Sequence, residues 1–320
     1  MIPKILSSSN VENNETMNYA LNVMRFNLLW KQGYTGEGIK IGVVDSGIDY
    51  NHPMLIDKVE CGYNFSSVGA VDDIFDYNYH GTSVSALLCG DYIDYRRYGV
   101  APNAKLIVAK SMDATGYGTI SAIVDGINYC VQQGADIINC SIGTTYYSLD
   151  MENAVRNAVD KGIAVVVASG NDGHNDTDGS VREISYPASH DVSICVGAMD
   201  RNYAITDFSN SSEFVDFVAP GKGILTAYPN NKYAIVEGTS FSCPLVAGSL
   251  ALLKQKFIAE FKRIPSESEL YGMLMKYTRE IQGVSKSMQG HGYPDFSISR
   301  NFSKENLTFT MDNILRTLKI

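Results

Sequence analysis

Apolar positions along the chain fall into two alternating patterns. Short, almost continuous apolar runs occur at Ile39–Asp45, Leu106–Lys110, Ile137–Cys140, Ile163–Ser169 and Val192–Val196. Such runs, without a polar residue at every second place, predict parallel strands covered on both faces. Between them the spacing becomes helical. Thr119–Gln133 puts Ile123, Ile127 and Cys130 on one face. Leu149–Lys161 gathers Ala154, Val155, Ala158 and Val159, and Gly162 supplies a stop signal. Ser240–Phe261 predicts a long, mostly apolar helix. Ser266–Tyr277 predicts another, with Glu269 three residues after Ser266 as a capping box. A weaker helical pattern covers Met17–Leu29. Strand and helix signals in alternation predict an α/β fold, with a doubly wound, mostly parallel sheet that binds ligands at the carboxyl ends of its strands. No internal repeat or linker interrupts the series.

Composition narrows the function classes. Of 320 residues, 45% are hydrophobic and 19% charged, enough for a large core. The net charge of −9 repels phosphate backbones, so nucleic acid is not an expected partner. The run Ile163–Ala168 is far too short to span a bilayer, so no membrane association is expected. Residues 1–15 lack an apolar run of signal-peptide length, which predicts a cytoplasmic protein. The six cysteines (Cys61, Cys89, Cys130, Cys140, Cys195 and Cys243) form no CxxC pair and sit mostly in apolar segments. They read as small buried hydrophobes in a reducing compartment.

Three segments carry chemistry. Asp45-Ser46-Gly47-Ile48-Asp49 ends a predicted strand; His80-Gly81-Thr82-Ser83 and Gly238-Thr239-Ser240-Phe241-Ser242-Cys243-Pro244 each open a helix. A serine hydroxyl is a weak nucleophile until a neutral imidazole takes its proton, and a buried carboxylate fixes that imidazole's tautomer. Alone, Asp45 reads as a turn residue, Ser240 as an N-cap and His80 as any surface histidine; the joint pattern favours catalysis. Together the segments resemble the three catalytic motifs of the subtilisin-like (subtilase) serine proteases, in that family's Asp, His, Ser order.

The resemblance implies a three-layer subtilisin-like fold and a serine endopeptidase acting through an acyl-enzyme. Ser240 becomes the nucleophile, His80 the base then acid, and Asp45 the orienting group. Ala168-Ser169-Gly170-Asn171-Asp172-Gly173 resembles the oxyanion motif, with Asn171 as donor beside the Ser240 N–H. Ser141, Ile142 and Gly143 resemble one substrate-pairing strand, and Gly116, Tyr117 and Gly118 the other. Ile120 and Ile123 match the pocket for the fourth residue before the cut. Tyr186, Pro187 and Ala188, with Ala168, Ser169, Gly170 and Thr239, match the first pocket. No charge stands at these positions, so a preference for large apolar or aromatic residues is expected there.

The resemblance spans about residues 22–297 and points to the bacterial intracellular subtilisins, through the missing signal, the acidic insertion Gly173–Glu183 and the segment Ser266–Tyr271. It implies three regions: an N-terminal extension 1–21 with an inhibitory role at issue, a catalytic domain 22–298, and a C-terminal arm 299–320. It also implies a homodimer and a protein or peptide substrate. Alternative readings are a dedicated leader-peptide or precursor-processing protease, and a non-catalytic subtilase-fold binding protein.

Departures from the family pattern stand at Phe241, in place of methionine, and at Ser83 and Leu245, in place of histidines. Cys243 so close to the nucleophile suggests inhibition by thiol reagents. No cofactor is implied for catalysis. Structural calcium is common in the family, but Met54 after His52-Pro53 is a poor ligand for a hard cation. The loop Cys89–Arg97 offers Asp91 and Asp94 beside Arg96 and Arg97, so the usual tight site looks lost. The acidic loop with Asp172, Asp176, Asp178 and Glu183 reads as a solvated surface.

Overall fold

The structure, a computed structural model, describes residues 3–6, 19–91, 99–173 and 180–298. In chain order its main elements are β1 (Lys4–Leu6), α1 (Tyr19–Val23), α2 (Asn27–Trp30), β2 (Lys40–Asp45), β3 (Val59–Asn64), α3 (His80–Cys89), β4 (Lys105–Lys110), α4 (Ile120–Gln132), β5 (Ile137–Cys140), α5 (Leu149–Asp160), β6 (Ala164–Ala168), β7 (Ile194–Met199), β8 (Val215–Pro220), β9 (Lys222–Tyr228), β10 (Lys232–Glu237), α6 (Thr239–Phe261) and α7 (Glu267–Lys276).

Seven strands form one parallel sheet in the order β3-β4-β2-β5-β6-β7-β8. The chain runs outward from β2 to β3 and β4, then returns to β5 on the other side of β2. The strand order therefore reverses at β2/β5, which opens a crevice at their carboxyl ends. One face of the sheet packs α3, α6 and α7 through Val84, Leu88, Leu250, Leu253, Phe257 and Leu274. The other face packs α4 and α5 through Ile123, Ile127, Met151 and Val155. The result is the expected three layers.

The forecast helices stand within a residue or so of their expected ends. Thr119 and Ser148 cap α4 and α5 through their side chains, and Ser266 with Glu269 closes the capping box of α7. The forecast over Met17–Leu29 is corrected: its described part is two short helices, α1 and α2, broken at Arg25, whose φ is +61°. Among the longer strands of the catalytic region, β3, β8, β9 and β10 lay outside the forecast. β3 is a half-exposed edge strand with a mixed sequence. β9 and β10 form a hairpin whose turn uses positive φ at Asn230 and Asn231. β1 adds to that hairpin in antiparallel register, with Lys4 opposite Ile235. Among the N-terminal residues only 3–6 and 19–21 are described, and the arm 299–320 lies outside the described residues. All six cysteines are free thiols; Cys61 is half-buried and the others are buried. No described helix is long and apolar enough to cross a membrane.

Candidate active site

Asp45 is the last residue of β2, the strand at the centre of the reversal. His80 is the first residue of α3, and its Nδ1 lies 2.8 Å from Asp45 Oδ1. The Ser46 N–H also donates to that oxygen (2.7 Å), while Oδ2 is buried with no hydrogen-bond partner among the described residues. The close approach has a steric requirement: a Cβ on Gly81 would lie 2.1 Å from Gly47 O. Only glycine lets the aspartate turn and the histidine helix meet, which is why both motifs carry one. Burial works against the imidazolium, but the Asp45 charge and hydrogen bond, with Asp76 adding to them, outweigh it and raise the His80 pKa.

Ser240 stands at the start of α6, after Gly238, whose φ of +145° few other residues tolerate. Its hydroxyl donates to Ser141 O at 2.9 Å. In return Ser141 Oγ donates to Ser240 O at 2.9 Å. That carbonyl is available because Pro244, four residues on, has no N–H to give it. The nucleophile's helix is thus docked on the end of β5 by a reciprocal pair. Asn139 extends the link: its Nδ2 donates to Ser141 Oγ (2.9 Å), and Cys243 Sγ donates to its Oδ1 (3.2 Å). Attack requires the Ser240 hydroxyl to leave Ser141 O and turn toward His80, which lines the same cavity; such catalytic hydrogen bonds often form only with substrate present.

Asn171 follows β6. Its Oδ1 accepts from Thr239 N (2.9 Å) and Thr239 Oγ1 (3.2 Å), which fixes the amide and leaves its NH2 as a donor face. Asn171 and Ser240 border two cavities at once. One, of about 380 Å³, is shared with His80, Phe241, Tyr79 and Glu237, and also with Pro3 and Lys4 from the N-terminus. The other, of about 360 Å³, is lined by Ser141, Ile142, Gly143, Ala168, Gly170 and Thr239, six of the expected pocket residues.

Other expected contacts fall elsewhere. Ser169 and Ala188 are buried, and Tyr186 backs the pocket wall through paired backbone bonds with Thr144 (2.9 and 2.7 Å). Pro187 sits beyond it, and neither Tyr186 nor Pro187 lines the cavity. Gly116–Gly118 is a turn closed by Asp113, with Tyr117 largely exposed, not a paired strand. Ile120 borders a separate groove between α4 and α5, whereas Ile123 lies in the core.

Thr144, Thr145, Asp172 and Ser185 line the pocket and were not expected to. Asp172, not among the positions read as uncharged, is exposed, lies next to Asn171 and adds a carboxylate to the lining. Ser185 enters because Gly143 admits it, since a Cβ on Gly143 would lie 2.7 Å from Ser185 Oγ. No motif marks it in the sequence, although its neighbours Tyr186 and Pro187 were singled out.

The departures resolve locally. The Phe241 ring is 5.5 Å from that of His80, tilted by 48°. Ser83 Oγ donates to Ala227 O (2.7 Å), joining α3 to β9, and Leu245 is a core residue. The expectation for Cys243 fails, because the thiol has no accessible surface and burial pushes its pKa well up.

Of the usual calcium position, the described residues are Met54 and the start of the loop up to Asp91. Met54 is fully buried, and the Lys58 ammonium donates to Asp91 Oδ2 (3.1 Å) and to Pro102 O (2.8 Å). Asp94, Arg96, Arg97, Asp176 and Asp178 lie outside the described residues. No metal-binding cluster occurs among the described ones.

The profile of the Subtilase family matches residues 36–292. The chain is 36% identical to the major intracellular serine protease of Bacillus subtilis (strain 168), over 92% of both chains. It is 40% identical to an intracellular serine protease of Paenibacillus polymyxa, over 82% of this chain and 80% of that one. It is 37% identical to subtilisin DY of Bacillus licheniformis, over 76% and 86%. With the Asp45–His80 pair at the strand reversal and Ser240 and Asn171 on the wall between two clefts, this chain belongs to the subtilase family of serine proteases.

Proposed function

We propose that the protein is an endopeptidase of general protein turnover inside the cell, cutting after large apolar or aromatic residues. One observation carries the catalytic part: Ser240 and Asn171 stand between the two cavities, beside the Asp45–His80 pair, where a peptide spanning both would present its scissile carbonyl. His80 takes the Ser240 proton as the hydroxyl attacks that carbonyl. The Asn171 amide and the Ser240 N–H receive the oxyanion, and the imidazolium returns the proton to the leaving amine. Water then repeats the sequence on the acyl-enzyme. The small Gly143, Ala168 and Gly170 and the apolar Ile142 favour a bulky residue in the pocket, and Asp172 at its rim lets a lysine ammonium be tolerated. The cellular location rests on the names of the two intracellular relatives. Cut-site profiling against a peptide library, with Ser240→Ala as control, tests the whole reading. Scattered cuts after Phe, Tyr, Leu or Met support it; one sharp motif would mark a processing enzyme instead.

The N-terminal extension fits a restraining role. β1 pairs with β10, the strand that leads into Ser240, and Pro3 and Lys4 line the cavity beside the nucleophile. A segment there occupies the leaving-group side of the cleft. Trimming the chain to about residue 20 then raises kcat/KM on a peptide substrate, and an unchanged value would end the idea. In place of the family's tight calcium we assign the Lys58 ammonium, an internal cation already bound to Asp91 and Pro102 O.

A further inference from the structure

We propose that Asp76, outside every expected site, is a positioning residue for the catalytic pair: its buried carboxylate locks the turn that aims His80, and its charge supports the imidazolium. The inference rests on His80 being the base.

Asp76 has no accessible surface and accepts five hydrogen bonds. Oδ1 receives Ser46 Oγ (2.9 Å), Asn78 N (2.9 Å) and Tyr79 N (3.0 Å). Oδ2 receives Thr82 N (2.8 Å) and Thr82 Oγ1 (2.6 Å). These donors flank both members of the catalytic pair: Ser46 follows Asp45, and Tyr79 and Thr82 bracket His80. Ser46 Oγ in turn accepts from Gly81 N (2.9 Å), and Thr82 Oγ1 from Asp49 N (2.9 Å). One carboxylate therefore ties the end of β2 to the first turn of α3.

The turn it holds is strained. Tyr79, immediately before His80, has φ +134° and ψ −26°, a conformation a residue with a Cβ rarely adopts. Such a residue is strained and persists only where its surroundings over-determine it. The bond from Tyr79 N to Asp76 and the stacking of Tyr79 on Tyr228 (ring centroids 5.4 Å, 15°) supply that determination. A carboxylate in place of a neutral acceptor suits a site where positive charge grows on His80 during turnover.

The groups facing His80 define the electrostatic test. Asp45 comes from β2, Asp76 and Tyr79 from the preceding turn, and the Phe241 ring from α6. Glu237 and Lys4 line the same cavity, and Lys110 Nζ, bound to Phe75 O, is a nearby cation. The variants below leave all of these in place except Asp76.

The experiment measures kcat and KM against pH for the wild type, Asp76→Asn and Thr82→Val, each normalised to the Ser240 that a fluorophosphonate can label. Asp76→Asn keeps the size but removes the charge and turns one accepting oxygen into an NH2 that the backbone donors cannot use, so the pH limb reads the charge and kcat reads both losses. The acid limb of kcat/KM then falls by about one pH unit, because an imidazole that loses a neighbouring anion gives up its proton more readily. Its kcat falls about tenfold, with KM little changed. Thr82→Val keeps the charge but loses a hydroxyl of the clamp, so kcat falls several-fold while the limb stays in place. An Asp76→Asn limb at the wild-type position overturns the proposal, whatever happens to stability. Should that variant not fold, Ser46→Ala decides: a lower kcat at constant KM supports the clamp, and a wild-type kcat refutes it. A wild type that neither labels nor cleaves would instead remove the protease reading itself.

Discussion

Replacing Asn171 by alanine isolates one of the two oxyanion donors. The side chain does two things. Its Oδ1 accepts the Thr239 N–H at 2.9 Å, and its NH2 faces the junction of the two cavities. The second role is made fully only when the substrate carbonyl becomes tetrahedral and negative. Removing one such donor costs about 2.7–4 kcal/mol, or on the order of 100- to 1,000-fold in kcat. The first role is cheaper to lose. Asn171 is exposed, so water replaces the lost acceptor and the penalty stays near the ~1 kcal/mol of a single neutral hydrogen bond. The expected signature is a kcat lower by two to three orders of magnitude, a KM within about threefold of wild type and a nearly unchanged Tm. Steady-state cleavage of a chromogenic peptide, with active sites titrated beforehand, measures it. A kcat within tenfold of wild type at full titration would show that Asn171 is not the donor. A matching rise in KM would show that it binds ground state and transition state alike.

Further outcomes follow from the same geometry. Because His80 must be neutral to act as base and its pKa is raised, the acid limb of kcat/KM lies above the ordinary imidazole value of 6.5; activity is full above that limb and is lost as pH falls through it, and a limb at or below 6.5 contradicts the assignment. If Lys58 stands in for the usual calcium, chelation leaves Tm unmoved, and Lys58→Met lowers it at every calcium concentration; a drop of several degrees on chelation, restored by calcium, would overturn that reading. Thiol reagents leave the folded enzyme active, since Cys243 is sealed in the core, and rapid inactivation that Cys243→Ser abolishes would show otherwise.

The catalytic groups were legible because each is bound to a local pattern. Asp45 ends an apolar run, His80 and Ser240 open helices, and the flanking glycines are demanded by contacts as close as the 2.1 Å that separates a Gly81 Cβ from Gly47 O. The central strands were legible from continuous apolar runs. What stayed hidden depends on tertiary pairing. β3 lies at a sheet edge, half exposed, and has no period to betray it. Ser185 and Asp172 enter the pocket only because the chain after β6 folds back across it. Asp76 resembles any turn aspartate until its five donors, spread from Ser46 to Thr82, converge. Gly116–Gly118 resembles a strand by motif alone; the turn that Asp113 closes, with a φ of +82° at Gly116, leaves no period in the sequence.

The placement of Ser240 on α6 has a consequence for survival in the company of other proteases, including copies of itself. From Thr239 to Leu253 every residue of that helix is buried, and it packs against β5, β6, β7 and β8 and against α3 and α7. Fraying of a surface loop cannot expose it. The helix that carries Ser240 is lost only when the whole core opens, so a molecule nicked away from the Asn171 and pocket segments keeps cutting. Residual activity in an ageing sample therefore counts intact cores, and electrophoresis will reveal cleaved chains well before the rate declines.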